Sequence, residues 1–120
     1  MRQEQRFDGR NPMNIFDGDK RIFNIDSLVP FKEGKINEEE ILDNEKTKLV
    51  ISSFDSHTRM NEHHAEGNEI MTALEGEAVV VVEGKEYELK KGESLRLHKG
   101  EAHYVVAEKR FKVIILVSLE

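Results

Sequence analysis

The sequence predicts an all-β fold, an antiparallel sandwich or barrel, on two observations. From Lys48 onward, strand-length apolar or alternating runs follow one another: Lys48 to Phe54, Ile70 to Leu74, Ala78 to Val82, Lys85 to Leu89, Ser94 to Leu97, His103 to Ala107 and Phe111 to Leu119. Between them stand Glu75-Gly76, Glu83-Gly84-Lys85, Lys91-Gly92-Glu93 and Lys99-Gly100-Glu101, turn chemistry that recurs every eight or nine residues. Glycine there supplies the positive φ that tight hairpins need. A rhythm of short strands and regular turns is that of a sandwich or barrel, and 120 residues suit one domain rather than two.

Before this half the pattern is weaker. Residues 1–20 are polar, with few apolar side chains, Met13, Ile15 and Phe16 among them, and read as a flexible N-terminal arm. The single domain then spans 21–120, with a motif-bearing core over 49–119. Arg21 to Ile25 reads as a short strand, ended by Asp26-Ser27-Leu28-Val29-Pro30, where Pro30 bars a regular continuation. Asn37 to Glu45 is acidic; Glu38-Glu39-Glu40 opens a short helix or belongs to a connecting loop, and reads as a solvated face. In the last run Phe111, Val113, Ile115, Val117 and Leu119 share one face while Ile114 and Leu116 make the other apolar. Both faces therefore call for cover by a sheet partner or a second subunit. We expect a homodimer in which Arg21 to Ile25 pairs against a neighbouring sheet, of its own chain or of the other subunit, symmetric dimers being the commonest oligomers.

Composition excludes several classes of function. No apolar run approaches the roughly 20 residues a membrane helix needs, and residues 1–12 lack the apolar core of a secretory signal, so cytoplasmic residence is expected. The absence of cysteine removes disulfide scaffolds, thiolate metal sites and cysteine nucleophiles, leaving nitrogen and oxygen to carry any chemistry. A net charge of −6 repels phosphate backbones and anionic bilayers, so neither nucleic acid nor membrane is an expected partner.

All five histidines, His57, His63, His64, His98 and His103, fall in the β half, with Glu62, Glu66 and Glu69 interleaved. Alternation along a strand turns either His63 with Ala65, or Glu62 with His64, to one face. Glu69 returns on the next strand, and His103 opens the strand after the Lys99-Gly100-Glu101 turn. Two imidazoles and a carboxylate form the donor set that suits non-haem Fe, Mn, Ni, Co or Zn and leaves positions for water or substrate. His57, in the polar turn Asp55-Ser56-His57-Thr58-Arg59, reads as solvent-exposed, and His98 as a rim residue. Phe54, Met60, Met71 and Tyr104 read as core side chains that also suit a pocket wall.

Two spacings resemble the motifs of the cupins, small double-stranded β-helix barrels. Glu69 and Gly76 match the end of the first cupin motif, six residues apart, with the segment Glu62-His63-His64-Ala65-Glu66-Gly67 where that motif carries its histidines. Gly92, Gly100 and His103 match the second motif at its intervals. His98 stands where that motif carries proline, Ala107 where it carries asparagine, and only one histidine of the first motif's pair is present in either register. Met60, three residues before His63, occupies a place that is commonly apolar in cupins, which favours His63 as the inward histidine. The resemblance covers roughly Leu49 to Leu119 and is closest to a subgroup of small cupins with a reduced first motif.

The resemblance implies an antiparallel jelly-roll β-barrel and a divalent metal ion, Fe, Mn, Ni or Zn, held inside it. His63, His64, Glu69 and His103 are the candidate ligands. It also implies a small polar ligand in the barrel and a chemistry drawn from dioxygenases, isomerases, epimerases and decarboxylases. The alternative is a non-catalytic module that binds a sugar or metabolite and has lost the metal.

Overall fold

The computed structural model describes residues 14–120 of the chain, and among them the fold is two facing antiparallel sheets. The strands are β1 (Ile36–Asp43), β2 (Thr47–Phe54), β3 (Thr58–Arg59), β4 (His63–His64), β5 (Asn68–Glu75), β6 (Glu77–Val82), β7 (Lys85–Lys90), β8 (Ser94–Leu97), β9 (Ala102–Ala107) and β10 (Phe111–Ser118). One sheet runs β1-β2-β10-β5-β8 and the other β3-β9-β6-β7, with β4 paired to β9 beside β3. The all-β sandwich is what the strand rhythm predicts, and the antiparallel jelly-roll arrangement is what the motif resemblance implies. Each of the seven expected runs is a strand, with ends within two residues of those expected.

Alternation sorts the side chains. From β10, Phe111, Val113, Ile115 and Val117 turn between the sheets; there Phe54, Met71, Ala73, Val80, Val105 and Ala107 pack against Phe111 and Val113. The rings of Phe54 and Phe111 lie 5.7 Å apart at a tilt of 54°, closing one end of the sandwich. At the hairpin between β5 and β6, Gly76 has φ +74°, and a Cβ there would overlap the carbonyl oxygen of Arg110. Only glycine allows the hairpin to lie this close to the start of β10.

Three local expectations are corrected. Asn37 to Glu45 is neither helix nor loop for most of its length: it lies in β1, paired along β2 from Ile36↔Phe54 to Asp43↔Lys48 with a bulge between Glu40 and Leu42. The Asn44 side-chain oxygen closes the hairpin by accepting the N–H groups of Lys46 and Thr47 at 3.0 and 2.9 Å. Glutamate is a poor strand former, yet β1 has two different faces. Ile36, Glu38 and Glu40 face the interior side, and Ile41 on the other face is wholly buried. Second, Arg21 to Ile25 is not a strand; it is irregular chain leading into a 3-10 turn, Ile25–Ser27.

Third, what covers Ile114 is neither a second sheet nor a second subunit but the chain's own N-terminal segment. Ile15, Ile25, Leu28 and Val29 pack on Ile41, Leu49, Ile51 and Ile114 on the outer face of the first sheet. Polar contacts fasten this segment. Ile15 N–H donates to the Ile41 carbonyl (2.8 Å), the Ser53 hydroxyl to the Val29 carbonyl (2.6 Å) and the Asn37 amide to the Pro30 carbonyl (2.8 Å). Buried Lys112 donates to the Asp26 carbonyl, with its ammonium 4.8 Å from the Phe31 ring. Asp55 accepts from Gly34 N–H (2.6 Å) and Arg110 Nε (2.9 Å), contacts that hold its carboxyl down at a pKa of about 2. Of the arm expected over 1–20, residues 1–13 lie outside the described residues. Residue 15 is already anchored to the barrel.

Candidate functional site

The two sheets part at one end around a cavity of about 470 Å³. Its floor is apolar, with Val50, Phe54, Met60, Met71, Val113 and Ile115, and its upper wall is polar. Phe54, Met60 and Met71 are therefore both core and pocket wall. Tyr104 lies outside the cavity lining, with the Arg59 guanidinium 4.6 Å from its ring centre.

His63 and His103 meet on this wall. They are directly opposite each other in the β4–β9 ladder, which places their side chains on one face. Their ring centres are 4.4 Å apart, edge to face. Each ring has Nδ1 against a backbone carbonyl two residues earlier, His63 with Asn61 at 3.3 Å and His103 with Glu101 at 3.2 Å. In the tautomer that donates from Nδ1, Nε2 carries the free lone pair on both rings. His103 is 2% exposed, and this burial lowers its pKa, favouring the neutral ring.

Ala65, two residues beyond His63, is buried in the core beside Met71 and Val105. His63 shares the face of Ala65 and turns toward His103, although it is exposed to solvent, as His64 is. His64 pairs with Ala102 and stands exposed on the rim of the same cavity.

Glu69 enters from the opposing sheet. It is 8% exposed and accepts a hydrogen bond from the Glu66 N–H. Burial raises its pKa, against the opposing pull of His63. Glu38, at the mouth on β1, is also pushed up by desolvation, with the Ser52 hydroxyl and His63 pulling the other way. His63 is thus the electrostatic neighbour of a carboxylate from each side. Lys48 bridges Glu66 at 3.3 Å and Glu40 at 3.6 Å.

Sequence reasoning singled out His63, His64, Glu69 and His103 and missed Glu38, Glu40, Lys48 and Ser52. The signal for the missed group was alternation, since Glu38 and Glu40 share the parity of Ile36, and Lys48 and Ser52 that of Val50. His57 and His98 lie outside the cavity lining; both are exposed and contact surface carboxylates, Glu108 at 3.4 Å and Glu101 at 3.6 Å.

The donor chemistry fits a metal ion in part. Two imidazoles that share one ion in adjacent octahedral positions, at about 2.1 Å from each nitrogen, have ring centres roughly 4.5 Å apart. The separation of His63 and His103 matches this. Among the described residues, however, no group of three or more His, Asp or Glu side chains stands close enough together to hold an ion. Glu69 and His64 do not complete a three-donor set with that pair.

A jelly roll whose sheets open on a cavity with an apolar floor and a wall of imidazoles and carboxylates defines a β-sandwich built around an interior polar site. The chain belongs to the cupin domain family, whose profile matches residues 51–118. Solved structures share the fold. A cupin superfamily protein from Desulfitobacterium hafniense is 18% identical with a TM-score of 0.80, the match covering 86% of this chain and 94% of that one. A cupin 2 conserved barrel domain protein from Leptotrichia buccalis is 33% identical with a TM-score of 0.77 over 80% of this chain, which spans 47% of that longer protein. A protein from Thermotoga maritima described as a predicted oxalate decarboxylase is 22% identical, with a TM-score of 0.66 over 72% of this chain and 83% of that one. A search of the curated proteins found no match.

Proposed function

We propose that this cupin binds a divalent metal ion through His63 and His103, with Glu69 as the inward carboxylate nearest in role, and takes a small polar molecule into the cavity beside it. The observation that carries the reading is the paired imidazoles, opposite in register, with Nδ1 on backbone carbonyls and Nε2 left for the cavity. Holding Nδ1 in this way orients a metal-binding histidine and raises its basicity. An ion held there would act as a Lewis acid on an oxygen of the bound molecule. The chain's own residues supply the rest: apolar contacts from Met71 and Val113, and hydrogen-bond acceptors from Glu38 and Glu69.

One observation favours a second reading, a ligand-binding module without metal: no third protein donor joins the histidine pair among the described residues. The likeness to the Thermotoga protein carries the fold and transfers no substrate. Metal analysis of protein purified without an affinity tag separates the two readings. About one ion per chain, lost in His103→Ala, supports metal binding; ligand uptake by a chain with no ion supports the module.

We also propose that the chain is a homodimer. The surface left for it is smaller than the sequence suggested, because Ile114 is covered from within while Leu116 and its ladder partner Ile70 stay exposed.

A further inference from the structure

We propose that the cavity selects small amine-bearing cations over anions, with Glu38 as the residue that reads the charge. This deepens the reading of the cavity as a ligand site and rests on it. His103 bears on the same cavity: it is almost wholly buried, lines the cavity and has Nδ1 on the Glu101 carbonyl, which leaves Nε2 as its other ring nitrogen.

The rest of the wall states what charge that ligand can carry. Four carboxylates line the cavity, Glu38, Glu40, Glu66 and Glu69, against a single ammonium, Lys48, and no guanidinium. The ammonium is already taken, since Lys48 bridges Glu66 at 3.3 Å and Glu40 at 3.6 Å. Proteins bind carboxylates and phosphates with free Arg or Lys side chains or with the N-terminus of a helix. Among the described residues none lines this cavity. The lining is built on strands and their connecting turns, and the 3-10 turn Ile25–Ser27 packs on the outer face of the first sheet. An anion would enter against uncompensated negative charge, whereas an ammonium would relieve it.

Glu38 and Glu69 are the two carboxylates outside the Lys48 bridge. Glu69 is deep and close in role to the histidine pair, and Glu38 stands at the mouth with Ser52 beside it. Glu38 lies on β1, outside residues 51–118 that match the family profile. It thus stands on an edge strand that the profile match does not reach. A cavity of about 470 Å³ accepts a short carbon skeleton on its apolar floor with an amine at Glu38.

Isothermal titration calorimetry on the full chain at pH 7 tests this with three probes of one carbon skeleton: hexanediamine, hexanediol and hexanedioate. Each is titrated into metal-stripped protein and into protein given one equivalent of zinc. In metal-stripped protein the diamine is expected to bind at least about tenfold more tightly than the dioate, a difference of one well-placed charge pair, and bound zinc is expected to narrow that gap by attracting the carboxylate. Glu38→Gln is expected to weaken the diamine by roughly five- to tenfold and leave the diol unchanged, and Glu38→Lys to reverse the order of diamine and dioate. Circular dichroism confirms that each variant is folded. The dioate binding as tightly as the diamine to metal-free protein, no diamine binding at millimolar concentration, or a folded Glu38→Gln that binds the diamine like the parent would each overturn the proposal. If zinc is not taken up while the diamine preference persists, only the metal reading falls. If zinc is taken up and the preference is absent from metal-stripped protein, only the charge proposal falls.

Discussion

His103 and Glu69 show how one burial acts in opposite directions on two groups. Both are more than nine-tenths buried, and each is pushed toward its neutral form, the imidazole by a lowered pKa and the carboxyl by a raised one. For the imidazole this suits metal binding, since a ligand histidine must be unprotonated. For Glu69 it is a cost that a cation would offset. A carboxyl whose folded pKa is raised contributes stability below its unfolded value and loses it as pH rises through the folded value. Glu69 taken alone costs metal-free protein stability as pH rises from acid toward neutral, while His103 and Asp55, whose pKa values are lowered, act in the opposite sense; the difference between parent and Glu69→Gln across that range should therefore isolate the Glu69 contribution. At pH 7 we expect Glu69→Gln to melt higher than the metal-free parent and to lose that advantage once zinc is added. Calorimetric melts at two pH values, with and without zinc, check this; a variant that melts lower than the metal-free parent at pH 7 would contradict it.

Among the elements, the hairpin at Gly76 and the edge strand β1 carry different lessons. Gly76→Ala adds a side chain at positive φ and drives its Cβ into the Arg110 carbonyl, backbone against backbone. We expect a loss of about 2–3 kcal/mol, more than a left-handed backbone alone costs, read from urea unfolding; a loss below about 0.5 kcal/mol would show that β10 moves freely. The strands from β5 onward, and β2, were legible because apolar residues alternate along them or fill them. β1 was not. Its Glu38 and Glu40 face a polar cavity instead of a core, so the hydrophobic period that marks a half-buried strand is missing from one face. The cover over Ile114 was hidden for a related reason: Ile15, Ile25, Leu28 and Val29 are scattered along irregular chain, where no period exists to detect. For the site, the motif spacing led to His63, Glu69 and His103, while Glu38, Lys48 and Ser52 lie on β1 and β2, where only strand parity could have found them.

For the molecule as a whole, assembly and metal binding are separable. Ile70 and Leu116 are adjacent on the outer face of the first sheet, 47% and 44% exposed, an apolar pair that a second copy would cover. Light scattering at micromolar concentration should give the mass of a dimer, and Leu116→Lys should give that of a monomer; a monomeric parent would contradict the homodimer. No helix among the described residues is long and apolar enough to cross a membrane. The paired imidazoles of exposed His63 and buried His103 are proposed to hold an ion at the cavity wall, and the direct test is the metal content of untagged protein and its single-histidine variants. We predict about one divalent ion per folded chain in the parent and in His64→Ala, and its loss in both His63→Ala and His103→Ala. A folded His103→Ala that keeps the parent's metal content, or loss confined to His64→Ala, would contradict the account.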